Sequence, residues 1–105
     1  MTRPIRVLHL EDSARDAEMI HQKLAVEGVR CDIVLVHSKD GFEGALARES
    51  FDLILSDYNL PDYDGTSAIR RAQEQQPDAP VIVISGSDRV TDVITLMKQW
   101  DVSQL

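Results

Sequence analysis

The 105-residue sequence predicts an α/β protein, one open, doubly wound parallel sheet layered between helices. Three observations predict it. Four short runs, Ile5 to Leu10, Cys31 to Val36, Phe51 to Ser56 and Val81 to Ser85, are mostly apolar, as strands buried on both faces must be. Segments with helical spacing separate these runs, and no linker, repeat or low-complexity stretch divides the chain. Strand alternating with helix in this way implies right-handed βαβ crossovers within a single domain, residues 1–105.

Each helical segment carries its own punctuation. In the first, Ser13 is the candidate N-cap, Ala17, Ile20 and Leu24 share one face, and Gly28 terminates. Ser38 caps the second, where Phe42, Ala45, Leu46 and Glu49 fall on one side. The third, from about Thr66 to Gln75, is expected to bury Ala68, Ile69 and Ala72, and it stops before Pro77 and Pro80. Ser87 or Asp88 opens a fourth, whose Val90, Val93, Ile94 and Met97 form a core-facing stripe.

Composition narrows function by exclusion. The chain is 43% hydrophobic and 28% charged, with a net charge of -7 that repels nucleic acid and anionic lipid. Cys31, the single cysteine, reads as a strand residue rather than a nucleophile. Arg3 and Arg6 precede no apolar stretch of signal-peptide length, and no run is long enough to span a membrane, so a cytoplasmic location is expected.

Chemistry gathers at the strand ends. In an open α/β sheet a site lies at the carboxyl ends of the strands. Glu11 and Asp12 follow the first run and Asp57 the third, so three carboxylates are expected to converge. Such like charges either retain protons above their ordinary pKa or recruit a hard divalent cation. Magnesium suits them, because it takes one or two carboxylates together with water and phosphate oxygens. Asp62 and Asp64 read as solvating a turn that ends at Gly65, and His9, His21 and His37 as structural residues without metal-ligand spacing.

The paired acids Glu11 and Asp12, the segment Asp57-Tyr58-Asn59-Leu60-Pro61 with Gly65, and Ile84-Ser85-Gly86-Ser87 together resemble the receiver domain of bacterial response regulators over nearly the whole chain. The resemblance implies a flavodoxin-like strand order of 2-1-3-4, followed by a fifth strand. It makes Asp57 the phosphoacceptor for a phosphohistidine on a sensor histidine kinase or phosphotransfer protein. Glu11, Asp12, Asp57 and the backbone carbonyl of Asn59 would hold Mg2+. Ser85 would contact the phosphoryl group and carry the switch, Gly86 would contact it through backbone, and Asn59 and Ser87 would tune dephosphorylation. No enzyme activity is implied beyond self-catalysed phosphorylation and dephosphorylation.

The ending departs from the family pattern. A receiver closes with a fifth βα unit whose strand ends in a phosphoryl-pairing lysine. Here Gln99-Trp100-Asp101 replaces the small-residue turn before that strand, and Lys98 falls within the fourth helical segment. The fifth unit is therefore expected to be missing or vestigial, with Val102 to Leu105 as a remnant strand. Phosphoryl transfer is expected to survive this better than switching, and the edge of the fourth strand to pair with a second copy, exchange elements or aggregate. Two other readings stay open, a pseudo-receiver that serves only as an interaction surface and a magnesium-dependent phosphohydrolase, although no second acid follows Asp57 in Asp-x-Asp spacing.

Overall fold

The computed structural model of the chain describes residues 4–57, 65–84, 94, 95 and 97. Its elements run β1 (Ile5–Leu10), α1 (Ala14–Val26), β2 (Cys31–Val36), α2 (Lys39–Arg48), β3 (Leu53–Asp57), α3 (Gly65–Gln75) and β4 (Val81–Ile84). The four strands form one parallel sheet in the order β2-β1-β3-β4. Stepping outward from β1 in both directions is what makes the sheet doubly wound.

Alternation along the strands divides the core into two halves. Ile5 and Val7 of β1 and Leu53 and Leu55 of β3 face α1, whose Ile20 and Leu24 meet them together with Val29 just beyond the helix. Leu8, Leu10 and Ile54 face the other way, onto Phe42, Ala45 and Leu46 of α2 and Ala68 and Ala72 of α3. Ile94 and Met97, both helical, belong to the α1 side, and Met97 is fully buried there. Val90, Val93, Ser87 and Asp88 lie outside the described residues.

Helix ends are fixed by local hydrogen bonds. Ser13 Oγ accepts from the Asp16 N–H at 3.2 Å, and Ser38 Oγ accepts from the Gly41 N–H at 3.3 Å. At the far end of α1, the Gly28 N–H donates to the Ala25 carbonyl and the Val29 N–H to that of Leu24. This paired closure needs a left-handed residue, and Gly28 supplies it with φ +78°. Val29 and Leu24 then pack together in the core.

Three expectations shift. β3 begins at Leu53 rather than Phe51, because the Phe51 N–H donates to Gln76 Oε1 at 2.8 Å. It also continues through Asp57, which pairs in register with Ile84, the last residue of β4. Ile69 is half-buried, so the alanines of α3 carry its tight packing. Ser85 lies outside the described residues. Among the described residues, no helix is long and apolar enough to cross a membrane.

Candidate functional site

Register brings the acids together. Leu10 stands opposite Ser56, so the next residue of each strand places Glu11 beside Asp57 at the carboxyl edge of the sheet. Asp12 follows on the turn into α1. One carboxylate oxygen from each of Glu11, Asp12 and Asp57 lies within 4.8 Å of the other two. Glu11 is buried, Asp57 half-buried and Asp12 exposed, so the cluster opens toward solvent on one side.

Burial pushes the Glu11 carboxyl up to about 7, with the charge of Asp57 and hydrogen bonds to Asp57 and Asp12 adding to the rise. The Ser13 N–H opposes it, donating to Glu11 Oε2 at 3.2 Å. That donor is available because it lies at the exposed N-terminal turn of α1, ahead of the intrahelical ladder. A half-protonated acid among other acids near neutral pH marks a site short of positive charge. The donor set fits a hard divalent cation: all ligands are oxygens, and a spread below 4.8 Å can be spanned by an ion that binds some carboxylates directly and another through water.

The histidines divide between two tasks. His9 lies on the α1 face of β1, fully buried, with Nδ1 2.9 Å from Nε2 of His21. Burial first, and His21 second, lower its pKa to about 4, while burial also lowers that of His21. The two rings therefore meet as neutral partners inside the molecule. His37 instead reaches the site loop, its Nδ1 lying 3.1 Å from the Glu11 carbonyl oxygen.

Ser13 and His37 were not read from the sequence as site residues. Their signal was positional, since Ser13 follows the acid pair directly and His37 follows the strand that pairs with β1. Asn59, Asp62, Asp64, Ser85, Gly86, Ser87, Lys98 and Trp100 lie outside the described residues. Cys31 is a half-buried residue of β2 packed against the α1-side core.

A parallel 2-1-3-4 sheet carrying an acidic triad at its carboxyl edge defines a receiver-type α/β protein. Comparison with known families agrees: the response regulator receiver domain matches residues 7–102, and the chain belongs to that family. Among curated relatives, the transcriptional regulatory protein PcoR of Escherichia coli is 29% identical over 109 residues, covering 95% of this chain and 47% of the relative. The cell cycle transcriptional regulator CtrA of Caulobacter vibrioides is 34% identical over 89 residues, covering 82% of this chain and 36% of the relative. The chain thus spans less than half the length of these regulators.

Solved structures share the fold. A sensor protein from Polaromonas sp. JS666 superposes with a TM-score of 0.77 at 23% identity, covering 99% of this chain and 100% of that one. A response regulator from Burkholderia pseudomallei, described with a phosphorylated aspartic acid, calcium ion and citrate, gives 0.68 at 23% identity, covering 89% of this chain and 55% of that one.

Proposed function

We propose that the chain is the phosphoryl-accepting module of a two-component relay and that Asp57 is its acceptor. The observation that carries this is the meeting of Glu11, Asp12 and Asp57 within 4.8 Å at the carboxyl edge of a receiver sheet. A carboxylate oxygen of Asp57 attacks the phosphorus of a phosphohistidine on a sensor kinase or phosphotransfer protein. The P–N bond breaks, the imidazole nitrogen takes back the electron pair and a proton, and an acyl phosphate remains. Little activation of the nucleophile is needed when the transition state is loose, so alignment and charge neutralisation dominate.

Glu11, Asp12, Asp57 and the Asn59 carbonyl would hold Mg2+, which when bound neutralises charge on the transferred group. Ser85 and Gly86 are assigned to the phosphoryl oxygens, and Asn59 and Ser87 to the rate of its hydrolysis. Family membership and the phosphorylated aspartic acid of the Burkholderia relative support the reading. We place the chain in the cytoplasm. A second copy pairing along β4, whose Val81, Ile82 and Val83 are half-buried at the end of the described sheet, is a further proposed contact, to be measured by light scattering.

The decisive experiment is incubation with acetyl phosphate and Mg2+, read by intact mass. A single phosphoryl adduct that disappears in Asp57→Asn is expected. No adduct on the unmodified chain, or one that persists in the variant, would overturn the assignment.

A further inference from the structure

Glu11 is held at three atoms. Its N–H donates to the Val36 carbonyl at 3.0 Å, which continues the β1–β2 ladder one residue past the strand. Its carboxylate accepts from the Ser13 N–H at 3.2 Å. Its carbonyl oxygen meets His37 Nδ1 at 3.1 Å, across 26 residues of sequence. A carbonyl only accepts, so Nδ1 carries the proton in this contact.

The carbonyl oxygen of Glu11 belongs to the peptide unit that joins Glu11 to Asp12. That unit is planar and rigid, so fixing its oxygen also fixes the N–H of Asp12 and the direction in which the chain enters it. His37 is itself well anchored. Val36, before it, closes the β2 ladder, and Ser38, after it, caps α2 through the Gly41 N–H. The ring thus projects from a single residue pinned on both sides, between the end of β2 and the N-cap of α2.

We infer that His37 is a positioning residue for the acidic site: by donating to the Glu11 carbonyl it sets the Glu11–Asp12 peptide plane and aims two of the three carboxylates at the cation position. The inference rests on the phosphoryl-acceptor reading above and adds to it a residue on neither of the two acid-bearing strands. The interaction it needs is one hydrogen-bond donor at one place, not the charge of the ring.

That requirement fixes the test. In His37→Asn the amide nitrogen stands close to where Nδ1 stood and keeps the donor, whereas His37→Phe keeps the ring and loses it. With the full chain and Mg2+ alone, titration calorimetry should show Kd for His37→Phe raised about 10-fold, as expected when an outer-sphere partner of a metal ligand is removed. His37→Asn should stay within about 2-fold of the parent, and the rate of adduct formation from acetyl phosphate at limiting Mg2+ should follow the same order. Thermal melts of the metal-free chains establish that both variants fold, and if His37→Phe does not, His37→Ala takes its place in the comparison.

Equal Mg2+ affinity in all variants, with the parent still forming its adduct, would overturn the positioning role and leave the receiver reading standing. Equal weakening in His37→Asn and His37→Phe would also overturn it, since the donor would then not be what matters. A parent chain that neither binds Mg2+ nor forms an adduct would overturn both.

Discussion

The two ends of the sheet use charge in opposite ways. At the amino end, Arg6 reaches Asp32 at 3.5 Å and Glu49 at 2.8 Å, and its backbone N–H donates to Asp52 at 2.9 Å. Gln76 completes this end, accepting from the Phe51 N–H and donating to the carbonyls of Leu46 and Glu49. At the carboxyl end, Glu11, Asp12 and Asp57 crowd like charges together, and Glu11 holds its proton to about 7. One pole pairs charges of opposite sign, and the other gathers charges of like sign. The first arrangement favours the folded chain, and the second disfavours ionisation of Glu11 within it.

The comparison is broken most severely at Gln76. Truncation to alanine leaves the Phe51 N–H without its acceptor and two carbonyls without their donor, where α2, β3 and α3 converge. Unsatisfied groups of this kind cost about 1–3 kcal/mol each when buried, and partial access to water reduces that here. Gln76→Ala should therefore lose about 2–3 kcal/mol in urea unfolding while Mg2+ affinity in the folded fraction stays unchanged. A loss of Mg2+ affinity equal to that from a site substitution would show that the two poles are coupled.

Substitution at the other pole should have the opposite sign. Glu11→Gln removes a charge that the folded chain disfavours, and the metal-free protein should become more stable by about 1 kcal/mol at pH 8, a figure discounted for the solvent on the Asp12 side. The pH window follows from the proton balance. The Glu11 pKa rises from 4.5 to about 7 on folding, so the native state binds more protons between those values and its stability falls as pH rises through them. The advantage of Glu11→Gln should accordingly be absent below pH 4.5, grow to pH 7 and level off.

His9 slopes the other way. Its pKa falls from 6.5 to about 4 on folding, so stability is complete above 6.5 and is lost as pH drops toward 4. The parent chain should show these trends partly cancelling between pH 4.5 and 6.5, whereas Glu11→Gln should expose the histidine slope, to which His21 adds in the same direction. Saturating Mg2+ at pH 8 should erase the variant's advantage, because the parent is then stabilised by binding that the variant has weakened.

What was legible in the sequence follows from which interactions are local. The caps at Ser13 and Ser38 and the turn at Gly28 depend on neighbours a few residues away, and each is where the residue types place it. The meeting of Glu11, Asp12 and Asp57 was legible because a parallel sheet brings all carboxyl ends to one edge, whatever the side chains. The start of β3 was not, because Phe51 and Asp52 are bonded by Gln76 and Arg6, and a pattern of apolar residues does not show such distant partners. His37 was read as structural for the same reason: its contact with Glu11 exists only once β2 lies beside β1 in a definite register. The stripe of Ile94 and Met97 indicated a buried face without showing which layer buries it, and that layer is the one containing α1.

The smallest effect expected tests whether charge pairing as such stabilises the molecule. Arg71 on α3 reaches Glu43 on α2 at 3.4 Å and Glu74 on its own helix at 3.6 Å, but its side chain is 44% exposed. Such a pair exchanges hydration for a screened attraction and must hold two flexible side chains in place, so Arg71→Ala should cost less than about 0.5 kcal/mol. Added salt should shrink even that difference. Arg6 also reaches two carboxylates but differs because its guanidinium lies 5.6 Å from the centre of the Phe51 ring, which removes water from one face. If Arg71→Ala cost as much as Arg6→Ala, the number of ion pairs rather than their desolvation would govern stability, and the amino end of the sheet would lose its special standing.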